Sequence, residues 1–447
     1  MKSFFLRTIF LFSFVFLFTA STPPDEGMFP LSEISKIGLN KAGLKIDIKE
    51  IYNPNGISFV DALVRVGGCT GSFVSEDGLI LTNHHCAFDF ISDASTLENN
   101  YLENGFLAEN KEKEISAKGL TSMITESYED VSELILEAAA GAKDISERTK
   151  AIQKKSRELI NEAEKNDPSI RAEVSEMFVG KTYILFKYKT IRDIRIVYAP
   201  PRSVGEFGGE TDNWIWPRHT GDFTFLRAYV APDGTSRTYH EENVPFKPKK
   251  FLKVNPSGIN EGDFVFLLGY PGRTFRHQPS QFIRFDEEIQ LAYISELFRS
   301  LINSFEEVSE RDPEMGLKLS SRIKTLANTE KNFRGKLQGM ERLSLVEQRE
   351  TQEKQLQQFI ESDPVLKEKY GNVLYDIQKI YDEIFLLGRT NLFYSQVFRQ
   401  ITSFALADIL IDFPIENAKP DVERKTLFTE KNQKMLQDRI LNLFENY

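Results

Sequence analysis

Cysteine is nearly absent: Cys69 and Cys86 are the only two in 447 residues. No HExxH helix and no Cys/His set with ligand spacing accompanies the adjacent His84 and His85, so no metal and no cofactor is expected. A long basic run is also missing. With a net charge of −10, that argues against nucleic acid as a partner. Beyond residue 18 no stretch is apolar enough to cross a membrane. Internal repeats and low-complexity tracts are absent.

What is present begins with the N-terminus. Lys2 and Arg7 precede the short apolar run 8–18, and Thr19-Ala20-Ser21 offers small residues for cleavage. This reads as a secretory signal over residues 1–20, with a retained anchor as the alternative, and predicts a periplasmic or secreted chain with no membrane span after cleavage. In an oxidising compartment two lone cysteines are expected to form one disulfide; two buried thiols are the alternative. Closing that loop would stabilise the fold by about 3 kcal/mol in the chain-entropy picture.

At 447 residues and 41% apolar composition the chain can bury more than one core, and two or three domains are expected. Residues 57–86 have strand character. Ser72-Phe73-Val74-Ser75 and Leu79-Ile80-Leu81-Thr82 flank an Asp77-Gly78 turn and predict a hairpin whose ends the cysteines would tie. Residues 95–167 have helical spacing. Strands are expected at 182–186, 194–198, 223–230 and 264–268. After Pro279, Ile289, Tyr293, Leu297 and Leu301 mark a helical stripe, and 373–413 reads as helix broken near Gly388.

Hydrolysis through a serine needs a base near neutrality, an acid to orient it, a nucleophile and oxyanion donors. His85, at the end of an apolar strand and beside Cys86, is the best base candidate; His84 and His219 compete. Asp222, opening the strand at 223–230, is the acid candidate. An ordinary structural histidine and a turn aspartate are the plain alternatives.

The layout Leu81-Thr82-Asn83-His84-His85-Cys86 resembles the first barrel of chymotrypsin-like proteases. More closely, the chain is similar to the bacterial dipeptidyl-peptidase 7 and 11 family of serine exopeptidases. The matching segments are Asp25-Glu26-Gly27-Met28, Gly68-Cys69-Thr70-Gly71-Ser72-Phe73, Thr82-Asn83-His84-His85-Cys86, Phe207-Gly208-Gly209-Glu210-Thr211-Asp212-Asn213-Trp214, Trp216-Pro217-Arg218-His219-Thr220-Gly221-Asp222-Phe223 and Gly269-Tyr270-Pro271-Gly272. They run in family order over nearly the whole chain.

The resemblance implies a mixed β and α fold. An antiparallel β-barrel domain would occupy 25–280, with a helical insertion at about 92–180. A mostly helical domain would follow at 281–447, incomplete at its C-terminal end. It implies an exported dipeptidyl aminopeptidase of peptide catabolism that releases dipeptides from oligopeptides with a free N-terminus. His85 would be the base and Asp222 its orienting acid. Asn213, Trp214 and Asn328 would hold the substrate's amine, and a homodimer is implied. An ammonium only donates, so amide oxygens suit it.

One departure stands out. No Gly-Asn-Ser-Gly, Gly-Asp-Ser-Gly or Gly-x-Ser-x-Gly occurs in the sequence. The family's serine lies in a second barrel, which also sets the residue accepted before the cut. The expectation is therefore that the serine lies beyond this chain and that the chain alone is inactive. The alternative function is a non-catalytic peptide-binding or assembly protein derived from the same family.

Overall fold

The computed structural model describes residues 29–445 except 54, 97, 168, 179, 273, 274, 276 and 277. The signal-like segment 1–20 and the motif Asp25-Glu26-Gly27-Met28 lie outside the described residues.

The expected hairpin forms. Strands β1 (Leu63–Val66), β2 (Cys69–Phe73) and β3 (Leu79–Thr82) pair in antiparallel order, with Ser72 opposite Leu81 and Phe73 opposite Ile80. Gly78 turns the chain at φ +67°, where a side chain would strike the Phe246 and Ala228 carbonyls. Cys69 and Cys86 are disulfide-bonded.

Helix α1 (His84–Ala94) follows directly, so His85 sits in a first helical turn rather than at a strand end. The next stretch departs from expectation. Residues 95–167 contain helices α2 (Ser132–Ala139) and α3 (Ile145–Glu164), but also strands β4 (Phe106–Leu107), β5 (Ile115–Ser116) and β6 (Ser122–Asp130). The mixed run Ser122-Met123-Ile124-Thr125-Glu126 becomes a strand because β1 on one side and β8 (Thr182–Ile191) on the other supply its hydrogen-bond partners. Tertiary pairing overrides local composition here.

Strands β7 (Ile170–Phe178), β8 (Thr182–Ile191), β9 (Asp193–Ala199), β10 (Thr224–Val230) and β11 (Val244–Pro245) complete one sheet, ordered β4-β9-β10-β3-β2-β1-β6-β8-β7. All its pairings are antiparallel. Only Arg192 separates β8 from β9, although the two strands stand far apart in the pairing order. Val64, Val66, Phe73, Ile80, Ile191, Ile196 and Leu226 share one core with Ala87 and Ile91 of α1.

Residues 264–268 were expected as a strand and are not one. Strand-rich composition is a fit to a pleated, half-buried surface. Here no ladder forms among the described residues, and Leu267 is 99% exposed.

From Pro279 the chain is helical: α4 (Leu291–Arg311), α5 (Pro313–Leu343), α6 (Leu345–Ser362), α7 (Val373–Gln400), α8 (Thr402–Asn417) and α9 (Gln433–Glu445). The stripe of Ile289, Tyr293, Leu297 and Leu301 does face a core, with Phe285, Phe298, Leu326 and Leu392. Gly388 does not break α7. The helix runs through it, and a side chain there would lie 2.5 Å from the Phe285 ring. This glycine serves close packing, not termination.

Candidate active site

Strand register brings the first pair together. In β3 and β10, Thr82 lies opposite Thr224 and Leu81 opposite Phe225. The two residues before Thr224 therefore lie beside the two after Thr82. This juxtaposes Asp222 with the start of α1 although 137 residues separate it from His85.

The contact is double. Asp222 Oδ2 lies 2.7 Å from His85 Nδ1, and Asp222 Oδ1 accepts from the His85 backbone N–H at 3.0 Å. That amide is one of the unpaired donors that open any helix. The usual cap residue, Asn83, makes no capping bond. Its Nδ2 instead donates to the Asp222 carboxylate at 3.2 Å and carbonyl at 3.1 Å. Asp222 thus caps α1 from the segment that leads into β10, and its negative charge suits a helix N-terminus.

His85 Nε2 has no hydrogen-bond partner among the described residues, and the side chain is 68% exposed. The Asp222 hydrogen bond raises the His85 pKa above the ordinary histidine value, against partial burial. Burial opposes the charge of Asp222, but the His85 side-chain and backbone bonds outweigh it and hold the carboxyl below its usual range. A histidine in this setting can take a proton at Nε2 while Nδ1 stays fixed.

The two competitors separate clearly. His84 is fully buried, both ring nitrogens lack partners, and burial lowers its pKa. It is a packing residue. Its ring lies against Gly205, where a Cβ would come within 2.6 Å, and edge-on to Phe88. His219 is exposed and forms no hydrogen bond with Asp222. Cys69, Cys86 and His85 cluster closely enough to suggest a metal site, but both sulfurs are spent in the disulfide.

The amine-binding candidates also meet. Asn328, on α5, accepts at Oδ1 from Asn213 Nδ2 and from Trp214 Nε1, each at 2.9 Å. Arg218 Nη1 donates to Asn213 Oδ1 at 3.1 Å. Trp214 takes φ +60° and is 59% exposed. A helical residue is thereby joined to the loop that leads into Asp222.

The Peptidase S46 family matches residues 24–447. The chain belongs to this family. Among its curated relatives is a dipeptidyl-peptidase 7 of Capnocytophaga gingivalis, 34% identical over 377 residues, which are 83% of this chain and 52% of the relative. An Asp/Glu-specific dipeptidyl-peptidase of Shewanella putrefaciens is 32% identical over 426 residues, 95% of this chain and 57% of the relative. The crystal structure of Porphyromonas endodontalis DPP11 in complex with the dipeptide Arg-Glu matches with a TM-score of 0.74 at 30% identity, over 94% of this chain and 60% of that one. The likeness covers the mixed architecture with its large antiparallel sheet. The chain spans about half the length of the curated relatives it matches.

Four contributors escaped the sequence reading. Asn83 was visible only as a letter in a motif, yet it holds Asp222. Gly205 and Val204 form a wedge: Gly205 meets the His84 ring, and Val204 Cγ1 would lie 2.6 Å from a Cβ at Gly221, the residue before Asp222. Lys324 bonds Glu206 on this same turn. Its one sequence signal was its spacing, one helical turn before Asn328.

Proposed function

We propose that this chain carries the base, the orienting acid and the amine anchor of an exported serine-type dipeptidyl aminopeptidase, which releases dipeptides from the free N-terminus of oligopeptides. His85 is the base, Asp222 fixes its tautomer and orientation, and Asn213, Trp214 and Asn328 receive the substrate's ammonium. The single observation that carries this reading is the pair of hydrogen bonds between Asp222 and His85, which pins Nδ1 and leaves Nε2 for a hydroxyl proton. One core shared by strands from both halves of the sheet supports a chymotrypsin-like first barrel within 25–280, with the helical domain at 281–447.

In the free chain the cluster's oxygens are held by neighbouring donors, and the ammonium takes over one of these bonds. The nucleophile of this reading is a serine in a Gly-Asn-Ser-Gly loop, a motif that does not occur in this sequence.

Calorimetry tests the anchor. The purified chain should bind a dipeptide with a free amine and not its N-acetylated form, and Asn328→Ala should weaken the binding. Equal binding of both peptides sinks the anchor. The catalytic reading is tested by joining the chain to a segment with a Gly-Asn-Ser-Gly loop. The joined protein should release dipeptides, the chain alone should not, and His85→Ala should cost several orders of magnitude in kcat. A joined protein with unchanged turnover in His85→Ala defeats the assignment. The non-catalytic alternative predicts amine-dependent binding with no turnover in the joined protein.

A further inference from the structure

Helix α5 touches the site loop at three positions on one face. Lys324 Nζ lies 2.5 Å from Glu206 Oε1, Asn328 holds Asn213 and Trp214, and Lys331 Nζ donates to the Thr211 carbonyl at 2.8 Å. Spacings of four and three residues align these side chains along the helix. Lys324 does more than pair with Glu206. Its ammonium also stands 4.2 Å from the centre of the Phe88 ring, on the helix that carries His85. Phe88 in turn contacts the buried His84 edge-on. Glu206 is itself anchored, since Arg202 Nε donates to its Oε2 at 2.9 Å. It directly follows Gly205, which rests on the His84 ring.

Lys324 therefore touches both elements that support the His85–Asp222 pair. One helical turn later, the same helix delivers Asn328. Burial acts against the Glu206 charge, but the bonds from Lys324 and Arg202 keep its carboxyl below the usual range.

We infer that Lys324 is a positioning residue: by bridging Glu206 and Phe88 it fixes where Asn328 stands relative to His85 and Asp222. The functional meaning rests on the reading above, in which Asn328 receives the substrate's amine. An exopeptidase that removes a set number of residues needs a fixed separation between amine anchor and catalytic base, and backbone reach per residue is nearly constant. Lys324 ties the two ends of that separation to one helix.

The test uses the whole chain labelled with 15N-tryptophan. It has two tryptophans, so two indole N–H resonances are expected, assigned through Trp216→Phe. Asn328→Ala should move the Trp214 indole resonance and raise its hydrogen exchange several-fold. Lys324→Gln and Glu206→Gln, which break the bridge from opposite sides, should move it in the same direction. Lys324→Arg, which keeps the ion pair and the ring contact, should leave it near the wild-type position. Calorimetry with a free-amine dipeptide should show affinity falling about tenfold in Lys324→Gln, with little further loss when Asn328→Ala is added, as coupled residues require.

The inference is overturned if Asn328→Ala moves the Trp214 resonance and both bridge variants do not, or if Asn328→Ala leaves it in place. Additive losses in the double variant also overturn it. If the resonance follows Lys324 but the wild-type chain binds no dipeptide, the positioning role stands and the amine-binding reading falls.

Discussion

Asp222 meets His85 through both carboxylate oxygens, Oδ2 at the ring Nδ1 at 2.7 Å and Oδ1 at the backbone N–H at 3.0 Å. One side chain therefore fixes the imidazole and caps the helix that bears it. Rotation of the ring and fraying of the helix start are opposed by the same group.

That coupling predicts a pH dependence. The folded-state pKa of His85 is raised, so its contribution to stability is complete below the ordinary histidine value and is lost as pH rises through the folded value. The folded-state pKa of Asp222 is lowered, so its contribution is present above the ordinary carboxylate value and is lost as pH falls through the folded value. The charged pair should stabilise most between those limits. An NMR titration of His85 should give a pKa above 6.5 in the wild type and a lower one in Asp222→Asn. An unchanged titration in the variant would mean that the pair is not formed in solution.

Gly205→Ala should unsettle the site from behind. The new methyl group would come within 2.6 Å of the buried His84 ring, next in sequence to His85. Overpacking of this kind costs about 1–3 kcal/mol. Urea unfolding measures the loss, and the His85 resonances should shift with it. A variant of wild-type stability would show that the ring has room to move.

Reduction of Cys69–Cys86, which are 17 residues apart, should lower stability by about 3 kcal/mol by restoring loop freedom to the unfolded chain. Denaturant curves with and without a thiol reductant give the difference. Because Cys86 lies in the first turn of α1, amide exchange at the start of that helix should rise as well.

Away from the site, Asp193 and Arg195 form a buried ion pair at 2.8 Å, with Arg195 also against the Tyr229 ring and Asn243 bonded to Asp193. Asp193→Ala leaves the guanidinium buried without its partner, which should cost about 3–5 kcal/mol in a denaturant titration. A loss below 1 kcal/mol would mean that water reaches the arginine and replaces the carboxylate.

Asn213, Trp214 and Asn328 were named only by the resemblance to a family, but the sequence by itself identified the hairpin, the cysteine pair and the stripe of Ile289, Tyr293, Leu297 and Leu301. These rest on local rules: period-2 and period-3.6 patterns, an Asp-Gly turn, and two cysteines in a chain with an export-like start. Tertiary structure decided the rest. Whether His84 or His85 faces solvent depends on how α1 is rotated, because adjacent helical residues differ by about 100° around the axis. The mixed run at 122–130 became a strand because two neighbours offered it hydrogen bonds, and the apolar run at 264–268 did not because none among the described residues did. Gly388 stands inside a helix and makes room for Phe285, more than a hundred residues away. Asn83 and Gly205 act through partners distant in the chain, which leave no periodic trace in the sequence, and Lys324 left only its spacing from Asn328.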